Sequence, residues 1–94
     1  MKARYTANAY RDMDAIFEYI ARDNARAAAN VIERIEQTVS RLQIFPFTGH
    51  QCDIPSVLVA PLSRYPYSIY YQVRRDEVLI LHVRHGARLA PKQI

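Results

Sequence analysis

The chain has 94 residues, half of them hydrophobic, which suits one globular domain that buries roughly 60–70% of its unfolded surface. A single cysteine, Cys52, excludes an intrachain disulfide, and no apolar run approaches the ~20 residues of a membrane span. The net charge of +4 is uneven, with seven bases and six acids in residues 1–45 but six bases and two acids in residues 54–94.

The opening "MKARYTANAYRDMDAIFEYI" is interrupted by charge every few residues and does not read as a signal peptide, so one cytoplasmic domain over residues 1–94 is expected, without a membrane contact. Eleven of the thirteen bases are arginine. Its planar guanidinium favours bidentate contacts with phosphate or carboxylate, so nucleic acid or an acidic protein is the expected partner.

Lys2 to Tyr5 is a short strand candidate. Thr6 then caps a helix whose apolar positions Tyr10, Met13, Phe17 and Ile20 recur at three- and four-residue spacing. Asn24 caps a second helix that carries Ala28, Val31, Ile32, Ile35, Val39 and Leu42 on one face, and the short connector implies an antiparallel helical hairpin. Phe45 before Pro46 ends it, because a residue preceding proline is pushed out of the helical region, and "FPFTGHQCDIPS" reads as an irregular loop. From Val57 the composition turns β-branched and aromatic. "VLVAPL", "RYPYSIYYQV" and "VLILHVRH" predict three antiparallel strands in meander order, with "RRDE" as the turn before the last. The fold class is therefore α+β, in the order β-α-α-β-β-β, with the hairpin packed on one face of a small antiparallel sheet.

Alternation puts Tyr65, Tyr67, Ile69, Tyr71 and Val73 on the buried face and Ser68, Tyr70, Gln72 and Arg74 on the open one. The last strand admits two registers. A two-residue loop, Arg75 and Asp76, pairs Gln72 with Leu79 and turns His85 to the open face, whereas a three-residue loop turns His82 and Arg84 there. A β-bulge near Leu81 reconciles the mixed phase of Val78, Ile80 and Val83.

The segments "YTANAYRDMDAIFEYIARDN" and "AANVIERIEQTVSRLQIFPFTG", then "RYPYSIYYQV" and the closing "VRHGAR", resemble the RelE/ParE superfamily of toxins from type II toxin-antitoxin systems. The F-P-x-x-G after the second helix and the H-G-x-R at the end are especially similar to the ParE and plasmid-stabilisation branch. The resemblance implies a growth-inhibiting toxin whose cognate antitoxin wraps the hairpin and sheet, with operator DNA reached only through that antitoxin. ParE-like members act on DNA gyrase; RelE-like members cut messenger RNA on the ribosome.

Chemistry at the end of the chain is weighed against that resemblance. Attack by a ribose 2′-hydroxyl needs a base, an acid and a cation, for which His82, Arg84, His85 and Arg88 are the catalytic candidates. An odd spacing on a regular strand sends His82 and His85 to opposite sides. The resemblance implies a tyrosine near the C-terminus in many RelE-like nucleases, and none follows Tyr71 here, so a binding toxin is favoured over an enzyme. For contact with target or antitoxin the candidates are Arg64, Tyr70, Arg74, Arg84 and Arg88. His50, Cys52, His82 and His85 carry ligating atoms without a recognised metal spacing, so neither metal nor cofactor is expected.

Overall fold

The computed structural model describes residues 1–86. Strand β1 (Lys2–Tyr5) passes through Thr6 into α1 (Ala7–Ala21), and α2 (Ala25–Ile44) completes a helical hairpin. Four strands follow, β2 (His50–Gln51), β3 (Leu58–Pro61), β4 (Tyr67–Arg74) and β5 (Glu77–His85), in one sheet of order β1-β5-β4-β3-β2. The β2–β5 meander is antiparallel, as expected. Strand β1 adds a parallel edge against β5, since the helices and the rest of the sheet lie between them in sequence and no hairpin turn dictates their direction. The two-residue β2 lies inside the segment expected to be all loop, and is too short to leave a period in the sequence.

Both predicted helix caps form. Thr6 Oγ1 accepts from the Ala9 amide at 3.1 Å and Asn24 Oδ1 from the Ala27 amide at 3.0 Å. The buried stripe of α2 matches its sequence pattern, but that of α1 is turned: Ala9, Met13, Ile16 and Ile20 face the core, while Tyr10 and Phe17 stay exposed. The rotation is set by Thr6, whose amide donates to Ile80 O and whose hydroxyl donates to Leu81 O. One residue of connector leaves α1 no freedom to rotate, and Tyr10 stacks instead on Tyr5 at 5.3 Å.

The two-residue loop is the one formed. Gln72 pairs with Leu79, Val73 with Val78 and Arg74 with Glu77, with Arg75 in the left-handed region at φ 56°. The register then shifts: Tyr71 faces Ile80 but Tyr70 faces His82, so Leu81 is the extra residue of a bulge. Ile69, Tyr71, Val78, Ile80 and Val83 close the core against α1 and α2. The second face is not open. Val57, Tyr70, Leu79 and Leu81 form a buried cluster there, with Cys52, Ile54 and Val59 packed against it from the loop before β3 and from β3 itself.

Tyr71 explains the F-P-x-x-G landmark. Its side chain is fully buried, and burial pushes its phenol above the ordinary tyrosine pKa. The hydroxyl donates to Pro46 O at 2.8 Å and accepts from the Gly49 amide at 3.1 Å, pinning the turn after α2 to the middle of the sheet. A Cβ at Gly49 would stand 2.6 Å from that hydroxyl and 3.0 Å from Val59 O. Gly49→Ala and Tyr71→Phe are each expected to lower the unfolding free energy by about 1–3 kcal/mol in urea titrations, the second by leaving two backbone groups unpaired. Because they perturb one contact, the double variant should lose less than the sum; full additivity would mean the two residues do not act together.

Candidate functional site

Beyond Tyr5, β1 stops and β5 runs on with no strand on its outer side. The first two turns of α1 take that place. Asp12 Oδ2 accepts from the Val83 amide at 3.0 Å and lies 2.8 Å from His82 Nδ1, while Thr6 satisfies the carbonyls of Ile80 and Leu81. An ionised carboxylate only accepts, so Nδ1 carries the hydrogen of that contact. His82 is 7% exposed, which makes it part of a helix-to-strand clamp rather than a surface base.

Past the bulge, Val83 returns to the core and Arg84 and His85 pair with Ser68 and Tyr67. The Tyr67 and His85 rings meet edge to face at 5.3 Å, and the Gly86 amide donates to Pro66 O, which fixes where the strand ends. Between this end of the sheet and α1 lies a cleft of about 680 Å³, lined by Asp12, Ile16, Tyr19 and Arg22 on the helix and by Arg84 and His85 on the strand. Arg84 is half-buried, and its Nε is the one buried side-chain nitrogen or oxygen without a hydrogen-bond partner among the described residues.

The residues predicted from sequence therefore divide. His85 and Arg84 share the cleft; His82 is adjacent in the strand but committed to Asp12. Tyr70, expected on an open face, is 8% exposed beneath the second cluster, because the loop before β3 folds back over it. Arg64 lies in the β3–β4 connection, also with left-handed backbone at φ 73°, and Arg74 at the far end of β4. Seven residue steps along that strand separate the two ends by roughly 23 Å, so the two arginines lie far apart. Arg74 also acts on Glu77, whose carboxyl is held below the usual carboxylate range first by its hydrogen bond from Arg4 at 2.9 Å. Arg88 lies outside the described residues.

His50 sits on β2, at the opposite edge of the sheet from β1, and is separated from His82 and His85 by two strands. Among the described residues no group of three or more His, Cys, Asp or Glu is placed to hold a metal ion, and no helix is long and apolar enough to cross a membrane. The clamp residue Asp12 and the cleft residues Tyr19 and Arg22 were missed by the sequence reading. Only the position of Asp12, a carboxylate bordering the apolar stripe of α1, could have signalled it.

Removing the clamp carboxylate strands the Val83 amide and His82 Nδ1. Asp12→Ala is expected to cost about 1–3 kcal/mol of stability, and Asp12→Asn less, since its amide oxygen still accepts. Equal stability of wild type and Asp12→Ala in thermal and urea unfolding would remove the clamp from the account.

Comparison with known proteins bears on the whole of this architecture. The family model described as the ParE toxin of the type II toxin-antitoxin system parDE matches residues 3–90. A protein of Sinorhizobium fredii (strain NBRC 101917 / NGR234) named as a candidate toxin, Y4kP, is 37% identical over 91 residues, covering 97% of this chain and 94% of its own length. Among solved structures, a chain of the chromosomal ParDE system from P. aeruginosa superimposes with a TM-score of 0.80 at 27% identity, covering 90% of this chain and 95% of that one. The toxin-antitoxin complex RelBE2 of Mycobacterium tuberculosis shares the fold at a TM-score of 0.58 and 22% identity, over 89% and 95% of the two chains. On a match that spans nearly its full length, the chain belongs to the ParE toxin family of type II toxin-antitoxin systems.

Proposed function

We propose that this protein arrests growth in the cytoplasm by binding DNA gyrase, and that a cognate antitoxin neutralises it by forming a stable complex. The solved relatives belong to a ParDE system and to a RelBE2 toxin-antitoxin complex, which supports a protein partner of that kind here. Operator DNA is then met only through the antitoxin.

The observation that carries the choice of a binding toxin is the sheet face turned away from the helices. A nuclease that grips messenger RNA on that face needs cations there to hold phosphate. In this chain the middle of that face is the buried cluster of Val57, Tyr70, Leu79 and Leu81; its bases Lys2 and Arg4 stand on the edge strand, Arg4 paired with Glu77, and the nearest histidine, His82, is held by Asp12. One observation favours the alternative, a ribosome-dependent messenger RNA endonuclease: His85, Arg84 and Arg22 line one cleft, so a proton-transfer group and two cations are near one another.

Induced expression without antitoxin separates these readings. The proposal expects growth arrest with induction of DNA-damage signalling, and loss of supercoiling by purified gyrase when the toxin is added. Rapid cleavage of transcripts at unchanged supercoiling would establish the endonuclease instead. Normal growth at full expression would leave a chain that binds its antitoxin without being toxic.

A further inference from the structure

The cleft between α1 and the end of β5 has a composition suited to one kind of ligand. Its wall is more apolar than polar, and Ala15, Ile16, Tyr19, Tyr67 and Val83 are among the residues that line it. Tyr19 is 70% exposed at its mouth, an unusually large aromatic surface to leave in water. Two of the polar wall groups are guanidinium ions, Arg22 on the helix and Arg84 on the strand. The carboxylates opposite them are not equivalent. Asp12 already accepts from the Val83 amide and meets His82, whereas Glu18 is exposed on α1.

Arg84 is the group that the fold leaves incomplete. A guanidinium nitrogen buried without an acceptor is costlier than a neutral donor left unpaired, so its neighbourhood favours an arriving anion. Nε itself is closed to solvent, so a carboxylate arriving in the cleft meets the guanidinium end-on through its two Nη groups, a bidentate geometry that makes such pairs directional.

We propose that this cleft is the docking site for a short antitoxin segment in which an aspartate or glutamate is flanked by apolar side chains, the carboxylate seated on Arg84 and an apolar neighbour against Ile16 and Tyr19. This rests on the reading of the chain as an antitoxin-neutralised toxin and adds where the partner's acidic residue is held. The volume of about 680 Å³ accommodates a few side chains, which limits the segment to a short anchor rather than a whole domain. Arg84 carries orientation and Tyr19 carries contact area, the two residue types most often dominant in protein interfaces.

The test uses the full-length toxin with the antitoxin encoded beside its gene, and measures dissociation constants by titration at 0.15 M salt. Arg84→Gln should weaken the complex by at least about 30-fold, because the antitoxin carboxylate is left buried and unpaired. Arg84→Lys should recover only part of that loss, since an ammonium cannot make the bidentate contact. Tyr19→Ser, at an exposed helical site that folding does not depend on, should weaken binding by about tenfold or more. Arg75→Gln, the same charge change in the exposed β4–β5 turn, serves as the control and should leave affinity within about twofold. Replacing each antitoxin acid in turn by arginine should identify one whose loss is relieved by Arg84→Glu. Unchanged affinity in both Arg84→Gln and Tyr19→Ser would overturn the proposal. Failure of the toxin reading would look different: the unmodified toxin would not arrest growth, or the antitoxin would bind without relieving the arrest.

Discussion

The register change at Leu81 depends on a few hydrogen bonds from the start of α1. Strand β5 outruns β1 by several residues, and a strand edge left without partners is exposed to water and to foreign strands. Here Thr6 and Asp12 take the place of the missing neighbour, accounting for the carbonyls of Ile80 and Leu81 and the amide of Val83. Asp12 holds His82 with the same oxygen, so the helix is fixed in rotation and β5 is fixed in register at one point.

That constraint divides β5 into two halves with different duties. Before the bulge, Val78 and Ile80 face the helices, while Leu79 and Leu81 belong to the cluster on the second face. After it, Val83 fills the core position, and Arg84 and His85 line the cleft beside α1. Without the extra residue the two halves would keep one parity and the apolar and cationic positions would trade faces. The polar end of the strand thus borders a helix-lined cleft, while the middle of the sheet is buried on both sides.

Much of this was legible in the sequence because it is local. Thr6 and Asn24 are caps by chemistry and position, Phe45-Pro46 marks a helix end, and the clash of phase among Val78, Ile80 and Val83 announced a bulge near Leu81. What could not be read depends on contacts distant in the chain. Tyr10 and Phe17 have the spacing of a core stripe, yet the tether of Thr6 to β5 turns them outward. Tyr70 has the parity of an open face, yet the loop carrying Cys52 and Ile54 folds back over it. His82 and Asp12 are seventy residues apart, and neither residue type signals the other. The landmarks of the family likeness had physical reasons of their own: Gly49 leaves room for the Tyr71 hydroxyl, and Gly86 brings its amide to Pro66.

The central claim, that a helix carboxylate completes the edge of β5 and so fixes the bulge, is tested most directly by residue-resolved amide hydrogen exchange. The Val83 amide, bonded to Asp12 rather than to a neighbouring strand, should be protected in the wild type to the level of the paired β5 amides. In Asp12→Ala that protection should collapse at Val83 while the β1-paired stretch from Val78 to Ile80 keeps its own. A Val83 amide that exchanges equally fast in both proteins would contradict the account.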